Sequence, residues 1–548
     1  MGGMFHRYVL SNGIEVISEP MENRKTAALG VFVKVGSQDE TRENNGISHL
    51  LEHMLFQGTG SRTAKEIADI TARMGDDVNA FTSKECTAVY GMTITERLEE
   101  LAMLFGDMLT SPLLAVKELR KEKRIVMDEI DMYQDSAEDL VHELLQRRVW
   151  RDDALGFLIS GTKSTVRSFD SGQLRRFHRE HYYAENMLVS AAGGYEEPRL
   201  LEWLERAFAG AARKNSVVRG KAALLRPEEI AALVRAEKAE ELALSTYHRE
   251  YESAGVSARI RQKMPLSTGG REYEGTGQQV PGQRADKPAE LRGDMPAAPQ
   301  SAELRGDKTA ATQFSELRGD KTAAPQFSEL RGDKPAAPQY WRSFASADRE
   351  IEQLHINLAF PALCVGDERR FAYSVLNSAF GGSNNSSLFQ EIREEAGMAY
   401  SVYSYSSAYQ RAGLFHIDIT VQPQLGVPVL GKTADIVSKF VRNGLTEEDL
   451  LLHKQQVETE LIMGAESPKT RMDSNAKFAL AGAPLYTLEE KLARIEKISC
   501  EDIRLLASDI MKLSECSLCA VGDRNCTDLR GMKRLWKTGF ITRKPGAI

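Results

Sequence analysis

Near the start of the chain, short apolar runs with a period of two flank Asn12-Gly13, the dipeptide that most favours a tight hairpin, so Tyr8 to Ile17 reads as two paired strands. Residues 28–35, apolar but for Lys34, fit a buried strand, and Gly36-Ser37 turns the chain into a polar stretch ending at Asn45. From Gly46 the period lengthens to that of a helix, with Ile47, Leu50, Leu51, Met54 and Leu55 on one face. Helical spacing returns at 64–74, 95–109, 115–135 and 136–150, and strand-like text occupies 78–92. Beyond residue 350 a second block of comparable order follows: a strand at 352–359, a helix at 371–380, a Gly/Asn/Ser loop, then alternating runs at 402–406 and 414–421. This succession predicts an α+β fold of two similar halves, each an antiparallel sheet packed with helices.

The text between the halves is of another kind. Glu-Leu-Arg-Gly-Asp begins at Glu290, Glu303, Glu316 and Glu329, a 13-residue period in a background rich in Pro, Ala, Gln and Lys. Too few branched apolar residues are present to offset chain entropy, so about 262–339 reads as a long, disordered, low-complexity linker, with 226–253 as a helical-looking lead-in. The expected domains are therefore 1–213, a linker or insert at 214–340, and 341–548. Each repeat contains Arg-Gly-Asp, but duplication of one unit copies any tripeptide inside it, and units this polar have no face to stack as a solenoid.

Composition narrows the function classes. A net charge of -7 and a pI near 5.9 argue against a nucleic-acid partner, which calls for a basic face. A mean hydropathy of -0.37, with no apolar run long enough for a membrane span and no leader-like start, gives a cytoplasmic expectation without a membrane partner. Six cysteines in 548 residues are too sparse for a disulfide framework, and Cys516 and Cys519 read as residues of a core strand.

The chemistry concentrates in His49-Leu50-Leu51-Glu52-His53. Four residues apart on a helix, the two imidazoles lie one turn above each other and can grip one metal ion, with Glu52 on the same side. A catalytic zinc usually takes three protein ligands and keeps one position open. The helical text at 115–135 offers Glu122 and Glu129, two turns apart on one face, and we assign Glu129 as the third ligand and Glu122 as support for the ligand set. Buried beside Ile47, Leu50 and Met54, such groups would be costly without partners. Zinc, one per chain, is the expected cofactor from the ligand types.

On these residues the chain resembles the pitrilysin/insulinase-type metallopeptidases, whose motif is this inverted H-x-x-E-H order, and within them the short bacterial members related to the mitochondrial processing peptidase. Further landmarks are Leu10-Ser11-Asn12-Gly13, Asn79-Ala80-Phe81-Thr82 and Gly161-Thr162 in the first half, and Gly381-Gly382-Ser383 and Leu388 to Ser401 in the second. Departures fall at Ser386-Ser387, where the family often has Ser-Arg, and near Gly161, where a usual Pro is replaced. The resemblance implies two halves closing a clam-like chamber, with Glu52 as the general base. It also implies that Asn79, Ala80 and Phe81 bind an extended peptide and that Arg393 and Tyr400 grip substrate from the opposite half. The expected function is a zinc-dependent endopeptidase acting on unstructured peptides, alone or as a homodimer or heterodimer with a related chain. The alternative is a catalytically silent scaffold or partner subunit.

Overall fold

The computed structural model describes residues 5–75, 77–211 and 337–540, so the repeats and most of the expected linker lie outside the described residues. The N-terminal half runs β1 (His6–Val9), β2 (Glu15–Pro20), β3 (Thr26–Val33), α1 (Ile47–Leu55), α2 (Ala64–Met74), β4 (Val78–Thr82), β5 (Thr87–Ile94), α3 (Leu98–Thr110), α4 (Val116–Asp135), α5 (Ala137–Val149), α6 (Lys163–Ser168), α7 (Ser171–His181), β6 (Met187–Gly193) and α8 (Glu197–Ala207). The C-terminal half runs β7 (Phe344–Asp348), β8 (Leu354–Ala362), α9 (Arg370–Asn377), β9 (Ala399–Ala408), β10 (Gly413–Val421), α10 (Gly426–Asn443), α11 (Glu447–Ala465), α12 (Pro468–Leu480), α13 (Leu488–Glu496), α14 (Cys500–Ile510), β11 (Ser517–Gly522) and α15 (Leu529–Lys537). The described parts of both halves belong to one compact unit.

The expected α+β fold with two similar halves is present. Strand order is β1-β2-β6-β3-β5-β4 in the first sheet and β7-β11-β8-β10-β9 in the second, so without β1 the two orders coincide. Each sheet is antiparallel apart from one matching parallel pair, β2 with β6 and β7 with β11. The reading at 371–380 spans a change of geometry: α9 ends at Asn377 and the chain continues as a wider π turn over Ser378–Gly382. Cys516 and Cys519 are buried at and within β11, as the strand reading expected.

Strand alternation gives each sheet two apolar faces. On the first sheet, Ala27, Leu29, Val31 and Val89 face the half's own helices, while Ala28, Phe32, Ala88 and Ala192 face Met472 and Ala476 of α12. On the second sheet, Ile356, Leu358, Phe415 and Ile417 face the local helices, while Ala359, Leu414, Cys519 and Val521 face Leu140, Val141, Leu145 and Val149 of α5. Each half thus lends one helix to the other's sheet.

Candidate metal centre

α1 buries Ile47, Leu50, Leu51, Met54 and Leu55 and leaves His49, Glu52 and His53 on its opposite, partly open side. Its entry is tight. Gly46 has a φ of 95°, and a Cβ there would lie 2.6 Å from the Ser160 carbonyl oxygen, so glycine is required. Gly46 has no side chain with which to cap the helix, and the buried carboxylate of Glu40 takes that role. It accepts the N–H groups of Gly46 (2.7 Å) and Ser48 (2.9 Å) and the amide of Asn45 (2.8 Å). Burial pushes this carboxyl up to about 7 against those hydrogen bonds. Sequence reasoning missed Glu40, because a cap seven residues before the first helical residue leaves no periodic signal.

α4 brings Glu122 and Glu129 against this side. Glu129 Oε2 lies 3.8 Å from His49 Nε2 and 3.5 Å from His53 Nε2, and one atom from each of the three residues lies within 4.8 Å of the others. Ligand atoms around a tetrahedral zinc, each at about 2.0–2.1 Å, are separated by about 3.4 Å, so these donors fit the ion in type and the two imidazole–carboxylate distances lie near the required spacing. His53 Nδ1 pairs with Glu122 Oε2 at 3.2 Å, which fixes the ring with Nε2 turned toward Glu129, and Lys121 pairs with the other Glu122 oxygen at 3.3 Å. His49 Nδ1 is buried without a hydrogen-bond partner among the described groups.

The electrostatics mark a place for positive charge. Burial opposes protonation of His53, but hydrogen bonds to Glu122 and Glu129 and the charges of Glu129 and Glu52 outweigh it and raise the ring to about 10. His49 is lowered to about 4 by burial and by the neighbouring His53. Burial works to raise Glu129, but its hydrogen bond to His53 and the charges of both imidazoles leave it below the usual carboxylate range.

Glu52 accepts a 2.7 Å hydrogen bond from Thr82 Oγ1, which ties it to β4, the outer strand of the first sheet. Alternation along β4 puts Ala80 and Thr82 on the α1 side and turns Phe81 the other way, where it packs with Phe32 and Tyr90 at 6.3 and 5.9 Å between ring centroids. Asn79 accepts the Ala80 N–H at 2.8 Å. The Phe81 ring is therefore not brought to the metal cluster, although its backbone lies on the sheet edge.

Among the described residues no hydrogen bond or ion pair joins Arg393 or Tyr400 to this cluster. Arg393 belongs to a second π turn, Phe389–Glu394, whose Ile392 packs in the core on the local-helix face of the second sheet. Its guanidinium lies 5.1 Å from the Phe389 ring centre, and Tyr400 is 71% exposed. α1 occupies the corresponding face of the first sheet, so within one chain both groups lie on the sheet faces turned away from the exchanged helices.

Comparison with known proteins agrees with this architecture. The profile described as insulinase (peptidase family M16) matches residues 15–163, and that described as peptidase M16 inactive domain matches 168–244 and 307–457. The uncharacterized zinc protease YmxG of Bacillus subtilis is 27% identical over 511 residues, covering 92% of this chain and 96% of the relative. An uncharacterized zinc protease of Streptomyces coelicolor is 28% identical over 509 residues, covering 93% and 88%. Among solved structures, a protease from Helicobacter pylori superposes with a TM-score of 0.69 at 15% identity, covering 95% of this chain and all of that one. Complex III2 from Candida albicans gives 0.63 at 13%, covering 97% and 99%. Among the described residues no helix is long and apolar enough to cross a membrane.

Proposed function

We propose that this chain, which belongs to the insulinase family of peptidases, is a zinc-dependent endopeptidase that hydrolyses unstructured peptides. The observation that carries this reading is the convergence of His49, His53 and Glu129 beside a Glu52 carboxylate held by Thr82. His49, His53 and Glu129 would hold the ion, and Glu122 keeps His53 in the required orientation. When bound, zinc supplies polarisation of the scissile carbonyl and acidification of a water molecule. Glu52 takes the proton of the attacking water on its carboxylate and returns it to the departing amine nitrogen. Among the described residues β4 ends the first sheet, and its outer edge suits main-chain pairing with an extended peptide at Asn79 to Phe81, which favours unfolded substrates.

The placement of Arg393 and Tyr400 supports a two-chain enzyme, with these groups of one copy, or of a related chain, gripping substrate at the other's metal centre. Mixing a Glu52→Gln chain with a chain carrying Arg393→Ala and Tyr400→Phe should then restore cleavage that neither has alone.

The primary test compares wild type with Glu52→Gln for metal content and cleavage of an unstructured peptide library. Zinc in both, with cleavage reduced by about 10²–10⁴ in the variant, is the expected result. A wild-type chain with neither metal nor cleavage would instead make it the silent partner subunit.

A further inference from the structure

The C-terminal half repeats the metal-centre helices position for position. Between helix caps, Ala115 to Ser136 around α4 and Thr446 to Ser467 around α11 have the same 21-residue spacing, which aligns Glu122 with His453 and Glu129 with Glu460. The apolar positions agree, since Leu119 and Val126 correspond to Leu450 and Val457, all buried. Along α1, and along α9 with the π turn that continues it, buried Ile47, Leu50, Leu51, Met54 and Leu55 align with buried Ala372, Val375, Leu376, Ala379 and Phe380. That register puts Ser374, Asn377 and Ser378 at the places of His49, Glu52 and His53.

Two hydrogen bonds confirm the register independently. Thr82 Oγ1 donates to Glu52 at 2.7 Å, and Ser404 Oγ on β9, the outer strand of the second sheet, donates to Asn377 Oδ1 at 2.9 Å. His53 meets Glu122 at 3.2 Å, and Ser378 Oγ meets His453 Nδ1 at 3.1 Å. The Ser378 N–H reaches the Ser374 carbonyl, so these two positions keep the one-turn relation that a pair of metal-binding histidines needs. What differs is Gln456, which stands where α4 has Ile125. Its Oε1 accepts from Ser378 Oγ at 3.2 Å and its amide donates to Glu460 Oε1 at 3.4 Å, a neutral bridge between the two positions that a cation would join.

We propose that the C-terminal half retains the framework of a second divalent-metal centre at Ser374, Ser378, His453 and Glu460, closed by the Gln456 bridge, and that replacing the bridge and the lost ligands restores metal binding. The inference rests on reading His49, His53 and Glu129 as metal ligands. Its test is zinc content after dialysis, in the full chain, of the parent and of the variant carrying Ser374→His, Ser378→His, His453→Glu and Gln456→Ile. The parent should hold about one zinc and the variant about two, and adding Glu460→Gln should return it to about one. A folded four-substitution variant that keeps one zinc, or a second zinc indifferent to Glu460→Gln, would overturn the proposal. A parent without zinc would overturn the reading of the first centre and this inference with it. If the four-substitution variant does not fold, the pair Ser378→His with His453→Glu decides. Together they should recover the melting temperature that each loses alone, and simple addition of the two losses would refute the shared framework.

Discussion

The two exchanged helices perform the same task with different chemistry. Where α12 covers the first sheet, Met472 and Ala476 meet Ala28, Phe32, Ala88 and Ala192, and Gly30 leaves the space that Met472 fills. The polar contacts lie around this apolar contact: Ser190 Oγ donates to the Met472 carbonyl at 2.8 Å, and Glu19 accepts from Arg471 and Asn475. Where α5 covers the second sheet, Leu140, Val141, Leu145 and Val149 are apolar too, but His142 enters a buried polar network. Tyr405 OH lies 2.7 Å from His142 Nδ1, Asp418 is 3.4 Å from its Nε2, and Asn357 joins Asp418 (3.0 Å) to His416 Nδ1 (3.0 Å). Tyr405 and Asp418 thus meet His142 at its two ring nitrogens, one on each side of the ring. The α12 contact depends on shape, whereas the α5 contact also depends on every proton being in place.

The largest effect is expected from breaking the contact of shape. Met472→Ala should cost about 2–4 kcal/mol in an equilibrium denaturation measurement, because a fully buried side chain is removed from a place shaped for it. A Cβ at Gly30 would lie 2.7 Å from the Met472 sulfur and equally close to the Phe32 ring, so Gly30→Ala should be costly in wild type and less so in Met472→Ala. Equal costs in both backgrounds would mean that Met472 does not set the fit.

Asp418→Ala comes next, at about 2–3 kcal/mol, since it strips a buried acceptor from Asn357 and His142 at once. Asp418→Asn should cost clearly less, and a cost as large for the amide as for alanine would show that charge, rather than the accepting atom, is what the network uses.

How much of this could be read from the chain follows from what local pattern records. The boundary between α4 and α5 was legible because Ser136 caps the second helix, accepting from the Asp139 N–H. The metal helix was legible because its two histidines and a glutamate share the side opposite a continuous apolar stripe, and Glu129 because it is two turns from a second carboxylate. The exchange of helices was not, since an amphipathic helix shows which face is buried and not which sheet buries it. Nothing local in the sequence joins His142, His416 and Asp418: the long-range register of β8, β9 and β10 brings His416 and Asp418 beside Tyr405 and Asn357, and the packing of α5 on that sheet adds His142. Phe81 looked like a substrate contact beside Asn79 and Ala80, yet strand alternation turns its ring toward the α12 side.

The contrast in pH response is a smaller effect. His416 is fully buried, stacks on Tyr405 at 4.7 Å between ring centroids, and has Nε2 without a hydrogen-bond partner among the described groups. Burial, followed by the charge of His142, lowers its pKa well below the usual histidine value. The unfolded chain therefore binds this proton near pH 6.5 while the folded one does not, so stability rises with pH through the window below 6.5 and is complete above it. Asp418 acts in the opposite sense. Burial raises it against His142, Asn357 and Tyr405, so its share of stability falls as pH climbs from about 3.8. Glu138 and His355 face the same network, Glu138 favouring a proton on His355 while burial lowers His355. His416→Phe keeps an aromatic ring against Tyr405 and removes the titrating group. Its stability between pH 5 and 7 should have a shallower slope than wild type, by up to about 1.4 kcal/mol per pH unit, and an unchanged slope would clear His416 of the acid response.

Ser190→Ala should give the smallest change, about 0.5–1 kcal/mol, and it separates shape from hydrogen bonding within the α12 contact. The Ser190 hydroxyl donates to the carbonyl of Met472, the residue whose side chain fills the space over Gly30, so the strand holds the helix backbone at the point where packing is tightest. Met472 lies inside α12, where its carbonyl can also accept from the helix's own backbone, so removing the hydroxyl need not leave a buried acceptor unpaired. The two variants should couple: in Met472→Ala, where the packing is already lost, Ser190→Ala should cost more than in wild type, because the hydrogen bond is then a larger part of what fixes the helix in register. Denaturation of the two single variants and the double variant measures this directly. Strict additivity would show that bond and side chain act independently, and that the apolar contact alone seats α12 on the sheet.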